Sequence, residues 1–335
     1  MEPESSAAGR LGCPKRMVFG PCGGVREDER CELAEHRCVF LDAPLVRWPG
    51  AAPDPPVRSG LLARAAEAPV VLTDLSVPAF DTAAVRRVVG VLGPVSDGLL
   101  LGEHANRPDF PPTMLAAEAL AAGARLWTTL ACRDRNRVVL EQELAGLAAL
   151  GVDGVLCVTG DGRGPGVRPG ASQVFDLDGV RLAALAAGRG LQVAVPESPE
   201  APPRALRPAR VAEKQRAGAQ LCVLNHVSSP ARVASFVAAA RDAGATLPFV
   251  AGSPSTPTSA PPACCSAFPA CTSTTTSSSG SSPRPTRGRP ASPPRSRRPE
   301  RCSPSPASSG STCRAWPPTG ARTTAHGSRP RWPSD

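Results

Sequence analysis

The chain has 335 residues, 12 cysteines and a formal charge of +9. It has no run of about eighteen apolar residues, which excludes a membrane-spanning helix. Residues 253–335 hold 11 Arg, no Lys and 2 acidic residues, while the rest holds 27 basic and 27 acidic side chains, so the basicity that would suggest nucleic-acid binding belongs entirely to the tail.

The N-terminus, MEPESSAAGR, lacks a basic segment followed by an apolar one, so no signal peptide is expected. A cytoplasmic location follows as the expectation, with cysteines as thiols or metal ligands rather than disulfides. Residues 1–44 read as a short unstructured start followed by a cysteine-rich module. In it Cys13, Cys22, Cys31 and Cys38 are separated by 8, 8 and 6 residues, with His36 nearby. Four soft ligands suit Zn²⁺ or an Fe–S cluster. No CxxC pair is present, so a loop-rich module with buried thiols is the alternative. Gly20-Pro21-Cys22-Gly23-Gly24 is a turn that brings a thiol and free backbone N–H groups together. Residues 45–67, rich in Pro, Gly and Ala, read as a linker.

From 68 to 252 strands and helices alternate. Short apolar runs predict strands at 70–75, 98–101, 126–131, 154–158, 191–195, 221–224 and 249–251. Helical periodicity predicts helices near 82–92, 112–122, 136–150, 178–189, 207–217 and 230–243. Seven strands with six helices between them is the rhythm of a (β/α)8 TIM barrel, incomplete at its C-terminus. A doubly wound sheet is the alternative, but no Gly-x-Gly-x-x-Gly follows the first strand. Ligands of such folds bind at the C-terminal ends of strands, which here carry Cys132-Arg133-Asp134 and Thr159-Gly160-Asp161. Cys132 and Cys157 read as small core residues, and His104 as a loop residue. His226 sits at a strand end, placed to face the pocket.

At Ser253 the composition changes within one residue: 253–335 contains no Leu, Ile, Val, Met, Lys, Asn or Gln. Such a segment cannot bury a core. Its scattered cysteines and abrupt start point to out-of-frame translation beyond Gly252, because permitted codons shifted by one base give ordinary strand and helix sequence from Ser253. A barrel left open exposes strand edges, so a poorly soluble or inactive product is expected for the chain as written.

Three stretches carry a family resemblance. LACRDRNRVVLEQELAGLAALGVDGVLCVTGD is similar to a strand, T-C-x-D loop, helix and L-x-G-D turn; AEKQRAGAQLCVLNHV to a K-x-D-A-G-A…T-Q segment; LPFVAG to a P-I-x-P-G strand. Together they resemble the methylenetetrahydrofolate reductase family over residues 68–252. The CPK…GPCGG…CE…CV segment resembles a module of some members and their partner subunits. The resemblance implies reduction of 5,10-methylenetetrahydrofolate to 5-methyltetrahydrofolate with NAD(P)H and FAD. It implies a folate substrate, no membrane, and a homo-oligomer or a methyl-transfer partner subunit. Asp74, aligned with the family's Glu, would be the proton donor, and Asp161 would lie against flavin and pterin. Asn225 and Glu197 would meet the folate. Lys214, Thr129, Thr159 and Gly160 fall at flavin contacts, with Thr where the family has His and Arg, and Glu213 falls where it has another Arg. The departures leave open direct hydride transfer without flavin. A second function is a non-catalytic, metal- or cluster-bearing folate-binding subunit of a methyl-transfer complex. A third, nucleic-acid binding through the Arg-rich tail, predicts salt-sensitive binding.

Overall fold

The computed structural model describes residues 11–50, 58–104, 107–163, 170–225 and 227–252. The tail and its reading frame, residues 1–10 and His226 lie outside the described residues. Seven parallel strands run in sequence order: β1 (Leu72–Leu75), β2 (Gly98–Leu101), β3 (Leu126–Ala131), β4 (Gly154–Val158), β5 (Val193–Glu197), β6 (Leu221–Leu224) and β7 (Phe249–Ala251). Each pairs with the next in parallel register, for example Thr129 with Leu156 and Glu197 with Leu224. The helices are α1 (Gly60–Ala65), α2 (Thr82–Leu92), α3 (Pro112–Ala121), α4 (Arg137–Leu150), α5 (Gly179–Gly188), α6 (Arg207–Arg216) and α7 (Pro230–Asp242). The result is the expected TIM-type α/β barrel, nearly closed, with β1 and β7 as its terminal strands among the described residues.

Alternation along the strands sorts the core into two layers. Leu100, Trp127, Leu156, Ala194, Leu221 and Val223 form the inner cluster. Leu99, Leu101, Leu126, Leu130, Val155, Cys157 and Val193 pack outward with the helices, among them Leu140, Leu144 and Leu147 of α4. Trp127 is fully buried in the inner layer, and its ring fits because position 154 is glycine: a Cβ there would stand 2.5 Å from the ring. Polar caps set the helix starts. The Asn136 side chain accepts from Val139 N at α4 and Asp178 from Arg181 N at α5. Gly151 ends α4 in the left-handed region at φ 74°.

Three boundaries differ from the sequence reading. The linker at 45–67 contains α1, whose Leu61 and Leu62 are buried against the inner cluster. Its first turn is tied to the N-terminal ends of β4 and β5, because Ser59 N donates to Gln192 Oε1 and Gln192 Nε2 donates to Asp153 O. β1 starts two residues later than expected, since Val71 N donates to the Asp97 side chain rather than to a ladder. β5 is displaced forward because Leu191 N still closes α5 on Ala186 O.

Candidate active site at the barrel mouth

The cysteine-rich segment has almost no regular structure, one bridge between Arg30 and Arg37 excepted. It folds on a small core of Met17, Phe40 and Ala43 and lies on the C-terminal ends of β4 and β5. Val18 N donates to Asp178 Oδ2, and Trp48 N donates to Glu213 Oε2. Arg207 donates to the carbonyls of Pro21 and Cys22. Val18 and Phe19 pack on Val180 and Ala217.

Between this segment and the barrel is a hollow of about 190 Å3. Thr159, Gly160, Asp161, Glu197, Lys214 and Asn225, six of the residues singled out from sequence, line it together. Lys15, Met17, Cys22, Ser198 and Arg210 add polar and sulfur groups to the wall, and of these five the sequence pointed to Cys22 alone. Gly160 has φ 91°, a conformation a side chain resists, and a Cβ there would stand 3.1 Å from Arg133 Cβ. The turn is held from both sides: Lys15 Nζ donates to Gly160 O at 2.7 Å and Arg133 Nη1 to Asp161 O at 3.2 Å. The Thr159 hydroxyl accepts from Gly179 N and meets Met17 Sδ.

Glu197 lines the same wall, yet its carboxylate is spent on three cations of α6. Arg207 Nη1 and Arg210 Nη1 each lie 3.2 Å from Oε1, and Lys214 Nζ lies 2.8 Å from Oε2. Burial alone would raise the Glu197 pKa; Arg210, Lys214 and Arg207 instead hold it far below the carboxylate range. Burial lowers the pKa of Lys214, opposed by Glu197. Three cations against one carboxylate leave an excess of positive charge, and Arg210 Nε has no hydrogen-bond partner among the described residues.

Of the other nominated residues, Cys22 and Cys157 also line that hollow, while Asp74, Thr129, Cys13, Cys31 and Cys38 do not. Asp74 stands near the C-terminal end of β1 with an exposed side chain, its pKa raised by desolvation. Thr129 lines a second hollow of about 340 Å3 with Glu103, His104 and Arg135. Burial raises the Glu103 pKa against the pull of Arg135, whose guanidinium lies 2.8 Å away. His104, in the loop expected, lies 3.4 Å from Asp109. Cys157 and Cys222 are inert core thiols, and burial pushes Cys222 up to about 12. Cys13, Cys22, Cys31 and Cys38 face one small cavity with His36, but among the described residues no three His, Cys, Asp or Glu side chains are grouped to hold a metal ion. Among those residues no helix is long and apolar enough to cross a membrane.

No family model and no curated protein matches the chain. Solved structures do. A 2,3-dimethylmalate lyase of the PEP mutase/isocitrate lyase superfamily is 12% identical, with TM-score 0.38 over 56% of this chain and 77% of its own. The tryptophan synthase complex of the hyperthermophile Pyrococcus furiosus gives 13%, TM-score 0.39, 55% and 77%. Oxaloacetate acetylhydrolase with 3,3-difluorooxalacetate gives 15%, TM-score 0.38, 59% and 72%. At these values the likeness bears on neither substrate nor reaction.

Proposed function

We propose that the barrel is a methylenetetrahydrofolate reductase-like enzyme that reduces 5,10-methylenetetrahydrofolate with NAD(P)H. The observation that carries the reading is the convergence of Asp161 and Asn225, nominated from separate stretches of sequence, on one hollow at the barrel mouth. A hollow of about 190 Å3 suits one ring system, such as a pterin, with the remainder of the ligand in the open mouth. Asp161 and Asn225 would orient the pterin through its ring nitrogens and exocyclic groups. Asp74, its pKa raised by desolvation, retains its proton to higher pH than an ordinary aspartate. Because Asp74 lies outside the hollow, it would act on the part of the folate that extends into the open mouth, protonating N10 as the N10–methylene bond breaks and leaving an iminium at N5. Hydride from the dihydronicotinamide then adds to the methylene carbon, giving the 5-methyl product and NAD(P)⁺.

FAD, which the resemblance implies, does not fit the residues nominated for it. The Thr159 hydroxyl, the Gly160 carbonyl and the Lys214 ammonium are each engaged by the chain's own groups. Leu33 also crowds Gly162, where a Cβ would lie 1.9 Å from its Cδ2. In the proposed reaction hydride therefore passes directly from the dihydronicotinamide to the folate. Among the described residues the thiols likewise do not form a metal-ligand set as they stand.

A second reading, a folate-binding subunit of a methyl-transfer complex, is favoured by one observation: Cys22 lines both the thiol cavity and the mouth hollow. The test is NAD(P)H oxidation dependent on methylenetetrahydrofolate, with 5-methyltetrahydrofolate measured as product. Turnover supports the reductase. Folate binding without turnover supports the subunit, and neither result with cooperatively folded protein defeats both.

A further inference from the structure

We propose that Lys15 is a positioning residue of the barrel mouth, which makes the candidate site a joint construction of the cysteine-rich segment and the barrel. Its ligand rests on the folate reading; its geometry does not.

Lys15 is 3% exposed, in a segment otherwise rich in solvated ion pairs such as Arg30–Asp28 and Arg37–Glu29. Its ammonium donates to Gly160 O at 2.7 Å and pairs with Glu32. Glu32 in turn accepts from Gly162 N at 3.1 Å. The pair therefore grips the backbone on both sides of Asp161: the carbonyl before it and the amide after it. A buried ion pair is a poor way to gain stability, because an apolar pair of similar volume often does as well. What apolar side chains cannot do is satisfy a carbonyl and an amide of a turn that has left the β4 ladder. Lys15 also lines both the mouth hollow and the thiol cavity, so it stands at the seam between the two segments. Met17 on Thr159 and Leu33 on Gly162 extend the same contact along the turn.

The test compares the full chain with K15M, K15R and the double variant K15M/E32Q. The double variant leaves no lone buried charge, so it remains informative where K15M does not fold. Two quantities are read: amide hydrogen exchange across residues 159–163, and the Kd for 5-methyltetrahydrofolate. Loss of charge-assisted bonds to the turn should speed exchange and weaken binding about ten- to hundredfold in K15M/E32Q, with recovery in K15R. Wild-type exchange and affinity in K15M/E32Q would overturn the proposal, since Lys15 would then only balance Glu32. If the wild type binds no folate, the folate reading fails, and exchange alone still decides the role of Lys15.

Discussion

Replacing Glu197 by Gln leaves Arg207, Arg210 and Lys214 facing a neutral amide in a site that is 2% exposed at Glu197. The carboxylate now lies 3.2 Å from each arginine and 2.8 Å from the lysine. At an effective dielectric of about 20, one pair near 4 Å is worth about 4 kcal/mol before desolvation is counted. Breaking a buried pair from one side costs about 3–5 kcal/mol net, because the remaining charge is stranded. E197Q should lose that amount in urea unfolding followed by circular dichroism, and about 6–20 °C in Tm. The pH dependence has a definite sign. Glu197 is depressed in the folded state, so its stabilisation is complete above the ordinary carboxylate pKa and is lost as pH falls through the lower folded value. The wild-type advantage should therefore persist at pH 5 and shrink only in stronger acid. In E197Q the lysine loses its counter-ion, so the variant's stability should rise toward alkaline pH as Lys214 sheds its proton. A loss below about 1 kcal/mol, the range of exposed pairs, would refute the claim that this carboxylate anchors α6 to β5.

Two further outcomes follow from the geometry. Gly154→Val places side-chain atoms on the Trp127 ring, where a Cβ alone would come within 2.5 Å; overpacking of this kind costs about 1–3 kcal/mol, read as a lower urea midpoint with near-UV dichroism altered at tryptophan. An unchanged midpoint would mean that the inner layer is loosely packed. Asp74→Asn removes the proposed proton donor and should cut turnover about 10²–10⁴-fold without altering folate Kd; in the wild type, turnover should fall as pH rises through the raised Asp74 pKa, and a D74N enzyme with the same pH profile would exclude Asp74 as the acid.

The barrel was legible because its strands are short apolar runs and its helices carry one apolar stripe each. Among the described residues all seven strands and six of the seven α-helices match the expected order, with β1 and β5 starting two residues later than expected. Helix α1 was missed because six residues give too little periodicity, and its two buried leucines act through tertiary contact with the inner layer. The α6 sequence RPARVAEKQR reads as a solvated polar helix, yet Arg207, Arg210, Glu213 and Lys214 are buried. Glu197 of β5 pairs with Arg207, Arg210 and Lys214, and Glu213 accepts from the Trp48 amide and pairs with Arg216; apart from Glu213–Arg216 these partners lie 10 to 165 positions away and leave no local signature. The same holds for Lys15, 145 positions from the carbonyl it binds. Motif matching found residues on the barrel's own loops and missed the wall that another segment contributes.

The most direct test of the account is titration of the purified full chain and of its Asp161→Asn variant with 5-methyltetrahydrofolate, each first shown to melt cooperatively. Binding by the wild type, weakened about tenfold or more in D161N as a charge-assisted hydrogen bond to the pterin is lost, is the predicted result. Folded wild-type protein that binds no folate, or a D161N chain that binds it equally well, would contradict the assignment of the barrel mouth.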